Sequence, residues 1–345
     1  MLGIDVSKDT LHCTLLDPTT RRKIWSRVFD NTPHGVDRLL KATPAEYSWA
    51  LEPTGSYSTD VVKKARSAGR HVLMAQPRRA KRFLESIQDR AKCDRLDAEG
   101  LGLFALSRDL PLYPLKSDEV EHVDQLLKAR KGIALSLQQL QAQAKALPRA
   151  SATLQPVIDT LKAQDRAIMR EIKVLTTPGA PGAEVPTASL TASPNSKATM
   201  VSLACTQKLL KVPGIGPVTA NTVATRLAAK SFPRSDAFVS YCGLDVAVRD
   251  SGRKKGNRGL TKQGDAELRR LLYLAAQSNL RIEDSPFKAH YERERAKGLS
   301  STAAICSVAR KMARLCWSLA YYDNDYDPNR IYQDPKQDPK NAKNG

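Results

Sequence analysis

Asp5 is flanked by Ile4 and Val6 in an apolar run that reads as a β-strand, a place where an unpaired carboxylate is costly. Glu52 closes a second apolar run, residues 47–51, just before the turn Pro53-Thr54-Gly55. Asp94 and Asp97 are spaced i, i+3, so on a helix both project from one face. Singly, Asp94 and Asp97 read as solvated helix residues and Glu52 as a strand end. As a set they point to a different chemistry. Carboxylates gathered in one pocket repel each other and take up protons unless cations compensate. Hard cations such as Mg2+, with Mn2+ as an alternative, supply that charge. Two of them about 3.5–4 Å apart can activate an attacking oxygen and stabilise a leaving phosphodiester oxygen.

Cations lie near these acids in the chain: Arg78, Arg79, Lys81 and Arg82, then Arg90, Lys92 and Arg95. A basic helix face is often only solvated, but beside a metal site it suits phosphate contacts. A more basic stretch is Arg249-Asp250-Ser251-Gly252-Arg253-Lys254-Lys255-Gly256-Asn257-Arg258-Gly259. Thr261-Lys262-Gln263-Gly264-Asp265 and the helix Leu268-Arg269-Arg270-Leu271-Leu272 follow it. The glycines predict a loop, and the cations suit an anionic backbone or transition state. By its local chemistry alone, Ser251 is an ordinary loop serine. Upstream, Val212-Pro213-Gly214-Ile215-Gly216-Pro217 precedes a helix from about residue 218. Gly214 and Gly216 permit close backbone approach, and the helix start offers free N–H groups to a phosphate, as in a helix-hairpin-helix. A tight turn between packed helices is the competing reading.

The elements that must position these residues follow from hydrophobic periodicity. Short apolar runs at 2–7, 10–17 and 23–29 read as a meander of three strands. Helix 34–42, strand 47–51, helix 57–68, strand 71–75 and helix 77–88 come next. That order, βββαβαβα, predicts an α/β domain over 1–112 with a mixed sheet flanked by helices.

Ser117 then suits a helix N-cap, with Asp118 and Glu119 in the first turn. Leu126, Ile133, Leu140 and Leu147 recur every seven residues, with Val123, Leu137 and Ala144 on the adjoining row. After a break at Pro148 comes a second series, Leu154, Leu161, Ile168 and Leu175. Residues 117–175 therefore read as a coiled-coil helical hairpin, serving either within one chain or in dimerisation. Arg130 and Asp165 interrupt its second rows.

Residues 176–198, rich in Thr, Pro, Gly, Ala and Ser, read as a flexible linker. A mainly α-helical domain is expected over 199–322, closing on an amphipathic helix at 303–319 with Val308, Met312 and Leu315 inward. The polar tail 323–345 is expected to be largely disordered.

Composition sets the class. The chain has 345 residues, enough for two domains and a small third element, with 41% hydrophobic and 26% charged residues. Lys and Arg number 55 against 36 Asp and Glu, a net charge of +19 that favours a polyanionic partner. The same charge fits a ribosomal or membrane-surface protein. Six scattered cysteines read as reduced thiols. No run approaches a membrane span and no signal peptide precedes the first strand, so a cytoplasmic, nucleoid-associated protein is expected.

Gly3-Ile4-Asp5-Val6-Ser7-Lys8, Leu51-Glu52-Pro53-Thr54-Gly55-Ser56-Tyr57 and Lys92-Cys93-Asp94-Arg95-Leu96-Asp97-Ala98 resemble the DEDD transposases of the IS-one-ten insertion-sequence family. The stretch 238–244, Asp250-Ser251-Gly252 and 268–272 resemble that family's C-terminal transposase domain. The resemblance implies an N-terminal domain similar to the RuvC Holliday-junction resolvase, an RNase H-like fold, with Asp5, Glu52, Asp94 and Asp97 as metal-binding acids. Cys93 stands where the family more often shows Thr. It also implies that Ser251 is a nucleophile holding the DNA end covalently. The acids of the first domain would then activate that serine at a composite site. Donor and target DNA, a structured guide (bridge) RNA and a homo-oligomer, dimer or tetramer, are the implied partners. Piv-type DNA invertases are similar within the class. A Holliday-junction-type metal-dependent endonuclease and a non-catalytic nucleic-acid scaffold are the rival readings.

Overall fold

The structure is a computed structural model that describes residues 1–87, 94–177, 201–247, 250–251, 254–255 and 259–330. The chain divides into two compact units, Met1–Leu115 and Lys116–Gly345.

Alternation along β1 (Leu2–Val6) lays out the first unit. β1 pairs antiparallel with β2 (Thr10–Leu16), which pairs antiparallel with β3 (Lys23–Asp30). After α1 (Pro33–Ala42), β4 (Trp49–Leu51) joins β1 in parallel. After α2 (Ser56–Ser67), β5 (Val72–Met74) joins β4 in parallel. The sheet order is β3-β2-β1-β4-β5, and α3 (Pro77–Ile87) and α4 (Asp94–Ser107) complete the unit. β4 is shorter than expected because Tyr47 N donates to Pro44 O at 3.2 Å and holds a turn.

Neighbouring strand residues face opposite sides. Leu2, Ile4 and Val6 enter a core with Leu39 of α1 and Val61, Val62 and Ala65 of α2. Gly3 and Asp5 share the other face, where α4 lies. A Cβ on Gly3 would stand 2.0 Å from the Ala98 carbonyl oxygen, and one on Gly102 would stand 2.8 Å from Leu16 Cδ1. At Gly3 the clash is with backbone, so only glycine there lets the helix rest on the strands, whereas at Gly102 the Leu16 side chain would have to give way. Ala75, Ala80, Leu101 and Phe104 form a small cluster that joins α3 to α4.

The second unit opens on α5 (Asp118–Ala146), whose N-cap Ser117 accepts from Val120 N at 3.3 Å. A 3-10 turn, Pro148–Ala150, leads to α6 (Ser151–Leu175). His122 lies 3.1 Å from Glu171 and Arg130 lies 3.0 Å from Asp165, which fixes the two helices as antiparallel. Along α6 the inward seam is Leu154, Ile158, Leu161, Asp165, Ile168, Ile172 and Leu175, alternating steps of four and three residues. The two polar interruptions face one another. Leu147, on the expected seam, is 56% exposed because it lies past the helix end.

Val123, Leu127 and Ile172, at the base of this hairpin, share a core with α8 (Pro217–Ala229), α9 (Ser235–Tyr241), α10 (Ala266–Asn279) and α12 (Ser301–Tyr321). The short α7 (Cys205–Leu209) and α11 (Pro286–Ala296) complete it. Val308, Met312 and Cys316 bury the inner side of α12. Beyond Thr177 the expected linker lies outside the described residues, as does the tail from residue 331. Lys208 and Lys211 hold Asp323 and Asp325 at 2.6 and 2.8 Å. Among the described residues, Cys13, Cys205, Cys242, Cys306 and Cys316 are free thiols, and no helix is long and apolar enough to cross a membrane.

Candidate active site

β1 and β4 run side by side and parallel, with Ile4 opposite Leu51. The next residue on each is an acid, so Asp5 and Glu52 stand together at the carboxyl ends of adjacent strands. Open α/β sheets place their ligands at such ends. α4 crosses the same face and brings Asp97, the neighbour of Ala98, whose carbonyl oxygen rests against Gly3. All three acids are half-buried. The crowding shows in Glu52: burial first, then the charges of Asp5 and Asp97, push its carboxyl up to about 7. Asp94 is the first residue of α4, one turn from Asp97. Its side chain, that of Arg95, and residues Arg90, Lys92 and Cys93 lie outside the described residues.

His12 stands directly opposite Asp5 in the β1–β2 ladder, so its side chain rises on the same face. Sequence reasoning did not single it out. The signal was the tight connection at 7–10, where Ser7 Oγ donates to Thr10 O at 2.9 Å and sets the register. Among the described residues, no group of three or more His, Cys, Asp or Glu forms a finished metal cage. The donor set of the acids nonetheless suits a hard cation: carboxylate oxygens, one of them pushed up to about 7 by burial and then by its neighbours' charge.

On α3, Ala80 and Phe83 turn towards α4, which leaves Arg78, Arg79, Lys81 and Arg82 exposed. Lys81 lies 3.8 Å from Glu85.

In the second unit the expected loop around Ser251 is a small β-hairpin, a correction to the sequence reading. β6 (Asp250–Ser251) pairs antiparallel with β7 (Lys254–Lys255), Ser251 opposite Lys254. Below it, Ala247 N donates to Gly259 O at 2.7 Å and Thr261 N to Asp245 O at 2.9 Å. Glycines marked the turn, but the pairing of two strands this short left no periodicity to read. The side chains of Ser251, Lys254 and Lys255 and residues Arg253 and Arg258 lie outside the described residues.

Gly214 takes φ 78°, and a Cβ there would stand 2.3 Å from Asn279 Nδ2. The buried Asn279 donates to Pro213 O at 2.5 Å, so this glycine turns into the core. Gly216 caps α8, and a Cβ there would meet nothing within 4 Å. Lys262 is exposed in the left-handed region at φ 52°. Arg269 donates to Cys242 O at 3.1 Å, and Arg270 is engaged by Glu267 at 2.6 Å.

A buried ionic network also went unread. Asp124, with 3% of its side chain exposed, contacts Lys116 and Arg226 at 2.5 Å each. Arg226 also reaches Asp265 at 2.7 Å, and Asp265 caps α10 through Leu268 N. The base of the helical pair is thereby clamped to the element that follows the Ser251 hairpin.

Residues 2–148 match a family model described as a transposase of the DEDD IS110 type, and residues 206–292 match the model of the transposase IS116/IS110/IS902 family. A transposase for insertion sequence element IS1328 from Yersinia enterocolitica is 35% identical over 114 residues, 32% of this chain and 34% of that protein. An insertion element IS116 protein of 44.8 kDa from Streptomyces clavuligerus is 32% identical over 31% of this chain and 27% of its own length. The chain thus spans about a third or less of the length of these curated relatives. A pilin gene-inverting protein from Moraxella bovis is 22% identical over 96% of this chain and 98% of its own. The two family models match in chain order and without overlap, one covering the acids and the other the Ser251 hairpin, so both parts of the chain are similar to transposases of the IS116/IS110/IS902 family.

Proposed function

We propose that this chain is a DNA recombinase that cleaves DNA strands and exchanges them between donor and target, with Asp5, Glu52, Asp94 and Asp97 as its metal-holding acids. The observation that carries this reading is the convergence of Asp5, Glu52 and Asp97 at a half-buried place, where burial first and then the charges of Asp5 and Asp97 push the Glu52 carboxyl up to about 7. Half-buried carboxylates that crowd one another have little structural use, and a bound cation relieves both their burial and their repulsion. Mg2+, with Mn2+ as its substitute, would activate the attacking oxygen and stabilise the leaving one. The mixed sheet beneath the acids is compatible with an RNase H-like domain.

Within this reading Ser251 supplies the attacking oxygen and holds a DNA end covalently. Its pairing opposite Lys254, in a stretch of sequence that also carries Arg253, Lys255 and Arg258, supports that role, since cations near a nucleophile favour a phosphate there. Arg78, Arg79 and Arg82 on α3, with Lys92 and Lys262, contact the DNA backbone. Arg269 and Arg270 are better placed to hold the fold. A structured guide RNA fits the +19 charge, and the helical pair, with Leu135, Leu147, Val157 and Val174 exposed, is the surface for self-association. A site-specific invertase is the second reading, favoured by the alignment with a pilin gene-inverting protein along 96% of the chain.

Strand exchange on donor and target DNA, with the transcript flanking the gene supplied, tests the proposal. Wild type is expected to give Mg2+-dependent joint products and a protein–DNA adduct stable to denaturant. Asp5→Asn should give neither, and Ser251→Ala should lose the adduct. Cleavage that persists in Asp5→Asn would overturn the metal role, and an adduct that persists in Ser251→Ala would overturn the nucleophile. Inversion without transposition would favour the second reading.

A further inference from the structure

A cleft of about 340 Å³ opens between the β1–β2 turn and the starts of α1 and α2. Its walls are tied together: Asn31 Nδ2 donates to Ser7 O at 2.8 Å and to Tyr57 O at 3.1 Å. Lys64 braces one side through Asp37 at 2.7 Å and Pro33 O at 2.6 Å. The cleft therefore exists before any ligand arrives, and its size is at the lower end for small-molecule pockets, about 300–1,000 Å³. Besides Thr32 and Pro33, the exposed residues on its lining are Lys8, Tyr57 and Asp60. Lys8 and Asp60 form no ion pair among the described residues. Tyr57 leaves 47% of its surface in water, although an aromatic ring gains by being covered.

The position of this cleft is informative. Lys8 follows Asp5 by one short turn, and Tyr57 follows Glu52 at the first turn of α2. The cleft thus lies at the same end of the sheet as the two acids, on the α1–α2 face rather than the α4 face that Asp5 and Glu52 share. A cation, an exposed aromatic face and a carboxylate are together what an unstacked nucleotide needs: a phosphate partner, a stacking platform and an acceptor for base N–H groups. A duplex offers none of its base faces to such a cleft.

We propose that this cleft receives one unstacked nucleotide of the DNA strand next to the phosphate held by the acids, its base stacked on Tyr57 and read by Asp60. This rests on the proposed recombinase reading. Lys8 takes the neighbouring phosphate. A carboxylate only accepts, so it favours a base with an exocyclic amino group. Cytosine offers its N4 amino group, whereas thymine flanks its single N–H with two carbonyl oxygens that repel Asp60.

The test uses the full chain in chelator, where no cleavage occurs, and short single-stranded oligonucleotides of dC or dT read by fluorescence anisotropy. Wild type should prefer oligo(dC). Asp60→Asn should erase that preference while still binding. Tyr57→Ala should weaken binding about tenfold and Tyr57→Phe should not. Lys8→Ala should lower the salt slope by roughly 0.7. Photocrosslinking with 5-iodo-deoxycytidine should place the adduct on Tyr57. Equal affinity for the two oligonucleotides in wild type, or adducts that map elsewhere with Tyr57→Ala binding unchanged, would overturn the proposal. Failure of metal-dependent strand exchange would sink the recombinase reading while leaving this binding as measured.

Discussion

Glu52 carries the clearest electrostatic mark in the first unit, and its sign makes a prediction. Its folded pKa, about 7, lies above the ordinary value of 4.5. Between those values the folded protein binds more protons than the unfolded chain, so stability is fully present below about pH 4.5 and is lost as pH rises through 7. Thermal melts in chelator should therefore fall from pH 5 to pH 8, by about 2–6 °C for a unit of this size. Glu52→Gln should flatten the fall, and Mg2+ at pH 8 should recover it. A pH-independent melting temperature would refute the raised Glu52 carboxyl. Asp5 and Glu52 were legible in the sequence because a carboxylate after apolar residues is conspicuous. His12 was not, since only the strand register places it beside Asp5.

Elements aim these residues. Gly3 and Gly102 are what let α4 lie against the strands, and they were unremarkable in sequence because close approach leaves no local pattern. Gly3→Ala should lift α4, displace Asp97 and cost at least about 1–3 kcal/mol. Mn2+ affinity and melting temperature measured together check this, and unchanged metal affinity would show that α4 does not position Asp97. In the second unit, Asp124→Ala leaves Lys116 and Arg226 without their shared partner and should cost about 3–5 kcal/mol in denaturant unfolding. A cost below 1 kcal/mol would mean the network is not structural. Periodicity gave the two long helices readily. It did not reveal that Arg130 and Asp165, which look like faults in the seam, answer each other across it.

At the scale of the whole molecule, the net charge of +19 predicts strongly salt-dependent DNA binding. With six or more phosphates neutralised, log K against log salt should slope more steeply than about −5. A slope near −1 would confine contact to one or two phosphates. Exposed Leu135 and Val157 on the helical pair predict self-association, so Leu135→Glu with Val157→Glu should shift sedimentation towards the monomer. Charge and composition told of a polyanion partner, but they could not tell which acids share a site, because that depends on which strands end side by side. The most direct test of that shared site is a Mn2+ titration followed by electron paramagnetic resonance, comparing wild type with Asp5→Asn and Asp97→Asn. Saturable binding in wild type that weakens at least about tenfold in both variants is the expected result. Wild-type affinity retained in both would contradict a metal centre at Asp5, Glu52 and Asp97.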